Sequence, residues 1–159
     1  MSTLPPTRWE QAGPAAAQGF GRKFGELVAS GQDVDGEARL ADTLLPRGAR
    51  VLDVGAGMGR VTAALSARGH TVVGIEPDLA LVEQARATYP GIDVLHSDVL
   101  GLDDALLGDR PAEYDLVVVV GNVMVFLAEG TERRVLSLLR SRLAPGGRVL
   151  LGFHLVGAP

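Results

Sequence analysis

Three carboxylates and one glycine-rich turn form the most chemically suggestive pattern in this chain. The turn is Gly55-Ala56-Gly57-Met58-Gly59, and the acids are Asp53, Glu76 and Asp98. Glycine takes positive φ readily and lets a ligand approach the backbone. A helix expected directly after the turn offers unpaired N–H groups. Glu76 stands 21 residues after Gly55, where an acid ending a second strand can accept both hydroxyls of a ribose. Asp98 follows a third strand and could accept from an exocyclic amine. Gly121 and Asn122 follow a fourth. The dinucleotide fingerprint Gly-x-Gly-x-x-Gly/Ala does not fit, because Arg60 occupies its last small position. The spacing present is Asp-x-Gly-x-Gly-x-Gly. An acid at Asp53 would repel a pyrophosphate and favour a cationic ligand such as an ammonium or a sulfonium.

These residues need elements to hold them, and the hydropathy pattern supplies a regular alternation. Strands are expected at Arg50–Val54, Thr71–Glu76, Asp93–His96, Tyr114–Val120 and Arg148–His154. Helices are expected at Ala15–Ser30, Glu37–Leu45, Gly59–Arg68, Asp78–Thr88 and Glu129–Leu143. Asp78 is a plausible N-cap, and Pro145-Gly146-Gly147 reads as a tight turn. Residues 1–13 read as loosely ordered, and Gly19, Gly21 and Gly25 weaken the first helix. Alternating strands and helices imply βαβ units and a mostly parallel, doubly wound sheet with helices on both faces. The tetrad Val117–Val120 is apolar throughout, as a strand covered on both faces should be. Two segments follow: an N-terminal extension or helical flap at 1–34, and a ligand-binding Rossmann-like domain at 35–159.

Composition narrows the classes. The 159 residues carry a formal net charge of −4 and no cysteine. A nucleic-acid partner would call for a positive stripe, and no cluster of Lys or Arg exceeds a pair. Disulfides, thiolate metal sites and cysteine nucleophiles are excluded. No run resembles a signal peptide or a membrane span, so a soluble cytoplasmic protein with no membrane partner is expected.

In order and spacing, "VLDVGAGMG", "VVGIEPD", "HSDVL", "YDLVVVVGNVMVFL" and "LAPGGRVLLGF" resemble the motifs of class I S-adenosylmethionine-dependent methyltransferases over about residues 35–155. The resemblance implies a Rossmann-like sheet of order 3-2-1-4-5 and S-adenosyl-L-methionine as cofactor. It implies that Asp53 and the turn Gly55, Ala56, Gly57 and Gly59 face the methionine part. Glu76 would hold the ribose hydroxyls, with Pro77 and Leu79 packing nearby. Asp98 and the backbone of Val99 would contact the adenine. Gly121 and Asn122 would lie near the methionine ammonium and the reacting methyl. The family also adds a helix and an antiparallel hairpin after the fifth strand, whereas this chain ends at Pro159. A truncated chain or an unseen tail is expected, with the fifth-strand edge open to a second copy in a homodimer.

Other candidates have blander readings. Met58 and Met124 are packing residues, His70 is a surface residue and His96 is structural. His154 approaches the site only by position. Trp9 and Phe20 belong either to a flap over the cofactor or to simple helix packing. No metal-ligand spacing occurs. No convincing general base is visible, so the catalytic residues are not assigned. The expected activity is methyl transfer to a small-molecule acceptor. A non-catalytic cofactor-binding module is the alternative, and a nicotinamide-dependent oxidoreductase a weaker one.

Overall fold

The computed structural model describes residues 4–154. Helices α1 (Arg8–Ala12), α2 (Pro14–Ala29) and α3 (Gly36–Thr43) precede the first strand. Then come β1 (Arg50–Val54), α4 (Arg60–Ala67), β2 (Thr71–Glu76), α5 (Leu79–Thr88), β3 (Val94–His96), a 3₁₀ turn at Val99–Gly101, and α6 (Asp104–Leu107). The chain continues with β4 (Tyr114–Val119), α7 (Val123–Phe126), α8 (Glu132–Ser141) and β5 (Leu143–Leu151). All pairings are parallel, in the order β3-β2-β1-β4-β5. This is the expected Rossmann-like sheet.

Side-chain alternation splits the core into two layers. Leu52, Val54, Val73, Ile75, Val117 and Val119 face one way, onto Val135 and Leu139 of α8. Val51, Val72, Leu116 and Val118 face the other way, onto Ala38 and Ala41 of α3 and Val61 and Leu65 of α4. The alanines let α3 lie close to the sheet. Asp78 caps α5 by accepting from the Ala80 and Leu81 N–H groups, as its sequence position suggested.

Three details depart from the sequence reading. Residues 4–13 are not loose, while 1–3 lie outside the described residues. Thr7 and Glu10 close a capping box on α1, with Thr7 Oγ1 accepting from the Glu10 N–H at 3.0 Å and Glu10 Oε2 from the Thr7 N–H at 2.7 Å. Arg8 then donates to the Leu127 carbonyl at 3.2 Å and pairs with Glu132 at 3.4 Å. Helix α2 runs unbroken through its glycines, where Gln84 of α5 donates to the Gly21 carbonyl at 2.8 Å. Tertiary docking here outweighs weak propensity.

His70 is buried rather than on the surface. Its Nδ1 accepts from the Ala49 N–H at 3.2 Å, so its Nε2–H donates to Asp42 at 2.8 Å. Lastly, Pro145-Gly146-Gly147 interrupts β5 instead of preceding it. Tyr114 pairs with Leu143 and Leu116 with Arg148, so five steps on β5 oppose two on β4. The strand therefore starts earlier, at Leu143, and ends earlier, at Leu151, than hydropathy suggests.

Candidate cofactor and acceptor site

The carboxyl ends of β1, β2, β3 and β4 open onto one cavity of about 450 Å³. Small-molecule sites fall in a range of about 300–1,000 Å³. Gly55, Gly57, Glu76, Pro77, Asp98, Val99, Gly121 and Asn122 line it. The doubly wound topology places such a crevice where the winding reverses, between β1 and β4.

The turn after β1 is shaped by positive φ at Gly55 (71°), Gly57 (56°) and Gly59 (84°). A Cβ at Gly55 would run into Val123 of α7. At Gly59 a Cβ would lie 2.6 Å from Ile92 and 3.0 Å from Ala85. Gly59 therefore serves helix packing and does not line the cavity. Ala56 likewise packs against Val82 and Val94, and touches only a second, smaller void.

Glu76 is the buried centre of the site. Its Oε2 accepts from the Gly57 N–H at 2.8 Å and its Oε1 from the Asp78 N–H at 2.9 Å. Burial pushes its pKa up to about 7, against the pull of those two N–H donors. Each oxygen keeps acceptor capacity toward the cavity. A ligand with two adjacent hydroxyls would use it, so the residues present fit a ribose.

Asp53 does not reach the larger cavity. It is buried under the turn, where Oδ2 accepts from Thr62 Oγ1 at 2.7 Å, and it faces a void of about 30 Å³ shared with Gly55, Gly57 and Arg60. Burial lifts its pKa to about 6, while Thr62 and the Arg60 charge hold it back. Asp98 caps the 3₁₀ turn, with Oδ1 accepting from the Leu100 N–H at 2.7 Å, and still lines the cavity. Asn122 sits at φ 70°, and its Oδ1 accepts from the His154 N–H at 2.7 Å. That bond pins the residue after β5 to the loop after β4. The His154 side chain is not part of the lining.

Sequence reasoning offered Trp9 and Phe20 as either a flap or helix packing, and missed the rest of the roof. Trp9, Phe20, Phe24 and Phe126 close over the cavity. Ring centroids lie 5.8 Å apart for Trp9–Phe20, 5.2 Å for Trp9–Phe126 and 4.6 Å for Phe20–Phe24. Trp9 Nε1 donates to Asp78 at 3.0 Å, which ties α1 to the residue beside Glu76. The residue that broke the dinucleotide fingerprint has its own task. Arg60 grips Glu37 through two bonds of 2.7 and 2.9 Å and donates to the Val34 carbonyl at 2.9 Å. Its guanidinium also lies 5.1 Å over the Phe24 ring. The hydrogen bonds from Arg60, and then its charge, hold the Glu37 carboxyl below its usual range. One signal was available: aromatic residues are scarce in this chain, and three of the seven fall within the first 24 positions.

Residues 51–147 match the family model for a methyltransferase domain. The chain belongs to the class I S-adenosylmethionine-dependent methyltransferases. S-Adenosyl-L-methionine is the cofactor for which this fold's site is built. Among solved structures, the chain resembles a TehB-like SAM-dependent methyltransferase from Corynebacterium glutamicum. The TM-score is 0.78 at 35% identity, over 90% of this chain and 75% of that one. It also resembles SAM-bound CalS10, an amino pentose methyltransferase from Micromonospora echinaspora, with TM-score 0.66 and 28% identity over 98% of this chain and 60% of that one. The ribosomal RNA small subunit methyltransferase C of Chromohalobacter salexigens is 30% identical over 158 residues, covering 91% of this chain and 43% of that protein. The chain thus spans less than half the length of that curated relative. Among the described residues, no three His, Cys, Asp or Glu side chains could share a metal ion, and no helix is long and apolar enough to cross a membrane.

Proposed function

We propose that this chain binds S-adenosylmethionine across the β1–β4 crevice and transfers its methyl group to a small molecule held under the aromatic roof. The observation that carries the reading is Glu76: a buried carboxylate with unspent acceptor capacity, facing the cavity, beside a turn that only glycine can form. Bound there, the cofactor supplies a sulfonium methyl already activated for displacement.

The protein's own task is then to hold two reactants together and shape the field around them. Glu76 orients the ribose. Asp98 and Val99 bound the adenine end, and Pro77 packs beside it. Asp53 places negative charge under the turn, which favours a cationic ligand. Gly121 leaves room at the end of β4, and Asn122 holds that loop. The roof excludes water.

A small acceptor is favoured over nucleic acid by the net charge of −4 and by the aromatic enclosure of the cavity. The amino pentose methyltransferase CalS10 shares the fold, which supports the same choice. A non-catalytic cofactor-binding module is the second reading, favoured by one feature: no His, Cys or Tyr lines the cavity among the described residues. Calorimetric titration with S-adenosylmethionine and its demethylated product, with NADH as control, tests the site. Saturable binding of the first two and not the third is the expected result. No binding by the folded chain overturns the proposal. Formation of demethylated cofactor in the presence of an acceptor then separates the catalytic reading from the non-catalytic one.

A further inference from the structure

Two features of the cavity bear on the acceptor. The first is the set of titratable groups. Five line it among the described residues: Lys23, Glu37, Arg60, Glu76 and Asp98. Glu37 is locked to Arg60, and Glu76 and Asp98 already accept backbone N–H bonds at the ribose and adenine end. None is poised to take a proton from an acceptor under the roof. The second feature is the roof itself. Phe20, Phe24 and Phe126 present apolar surface, and Lys23 stands on the same helix as two of them. Its Nζ lies 5.9 Å from the Phe24 ring, and it has no carboxylate partner within 4.0 Å among the described residues. Arg60, the other cation on the lining, is already neutralised by Glu37.

Resting on the methyltransferase reading above, we propose that the acceptor is a small apolar or aromatic molecule whose nucleophilic atom is an anion before it binds, drawn in by Lys23. In the transfer, a lone pair of the anion forms the new bond to the methyl carbon. The carbon–sulfur bond breaks and its electron pair returns to sulfur. The sulfonium becomes a neutral thioether, the anion becomes a neutral methylated product, and no proton is released. The chemistry balances without a base, and two opposite charges cancel in a low-dielectric enclosure, which favours the transition state over the separated ions.

The test uses the full chain and four benzene-ring probes: thiophenolate, benzoate, benzylamine and benzyl alcohol. Formation of demethylated cofactor is measured for each, alongside calorimetric binding of S-adenosylmethionine. Turnover of thiophenolate or benzoate is expected, with a rate that levels off above that probe's own pKa. No turnover is expected for the amine or the alcohol. Lys23→Met should raise the KM of the anionic probe about fivefold while cofactor affinity is retained, the scale of one partly exposed ion pair. Preference for the amine or alcohol overturns the proposal. So does tight cofactor binding without turnover of either anion, and that outcome leaves the cofactor site standing. Weakened cofactor binding in Lys23→Met, with the probe KM unchanged, overturns the role of Lys23 by assigning it to the cofactor's carboxylate. Failure of the unmodified chain to bind cofactor sinks the underlying reading instead.

Discussion

The floor and the roof of the cavity are built in opposite ways. The floor consists of strand ends and backbone: Gly55 and Gly57 in the turn, Glu76 closing β2, Gly121 after β4. Each closes or directly follows a strand of the parallel sheet, and Glu76 is fixed by two backbone N–H donors. The roof consists of side chains from α1, α2 and α7 that meet far from one another in sequence. A few long-range bonds anchor it: Trp9 to Asp78, Arg8 to Leu127, Gln84 to Gly21 and Arg60 to Glu37. A floor of this kind resists change and tolerates little. A roof of this kind can be repacked, and local opening there costs less than unfolding the sheet.

The contrast can be broken most severely at Glu76. Glu76→Ala should weaken S-adenosylmethionine binding by about 100-fold or more by calorimetry, because two hydrogen bonds to a charged group are lost. The same residue separates binding from folding. Both of its oxygens accept a backbone N–H, so Glu76→Gln sets an NH2 group against one of those donors and should lower the melting temperature of the ligand-free chain modestly, while affinity falls far more. Equal loss of both would show that Glu76 is only structural.

Next in size is Gly55→Ala. The residue adopts φ 71° and a Cβ would strike Val123, so about 2–4 kcal/mol of stability should go, read by denaturant unfolding. Unchanged stability would mean that the turn and α7 relax together more freely than their packing suggests.

A titration of affinity against pH sharpens the account of the floor. In the proposed complex, ribose hydroxyls would donate to ionised Glu76, whose pKa in the free chain is raised to about 7. Affinity should therefore rise about tenfold between pH 6 and pH 8 and level off above that. Stability of the ligand-free chain should move the other way. The folded pKa values of Asp53 and Glu76 lie above their ordinary values of 3.8 and 4.5. The protonated forms are the ones the fold favours, so this stabilisation is complete below about pH 4 and is lost as the pH rises through about 6 to 7. Parallel trends in stability and affinity would contradict the assignment of Glu76.

The smallest effect belongs to the roof. Trp9→Phe removes the bond to Asp78 and keeps the ring contacts, so cofactor affinity should fall only about three- to fivefold. A loss as large as that of Glu76→Ala would show that floor and roof form one rigid unit.

Much of the floor was legible before folding. A period of two in the strands, a glycine turn that only positive φ can make, and an acid at the end of β2 are local signals, while the sheet order is what the family resemblance implies. Within that frame, the depth of Asp53 was not legible: it lies beneath the turn, on the smaller void. The register of the sheet carries it there, and no local pattern reports on that depth. The ends of β5 were also misread, because Pro145-Gly146-Gly147 looks like a stop and acts as an interruption that the ladder spans.

The roof and the acceptor end were not legible. Beyond the Trp9 and Phe20 alternatives, Thr7, Phe24, Glu37 and Arg60 are separated by up to 53 positions, from 7 to 60, and none forms a spacing with local meaning. His70 shows the same limit, since only the folded chain reveals that it is buried between Ala49 and Asp42. By itself the sequence determined the alternation of strands and helices, the glycine turn and the carboxylate that closes β2, because those depend on backbone geometry within a few residues. Which aromatic and charged side chains close over the cavity was decided only by tertiary structure, because their contacts form between segments that meet after the sheet is built.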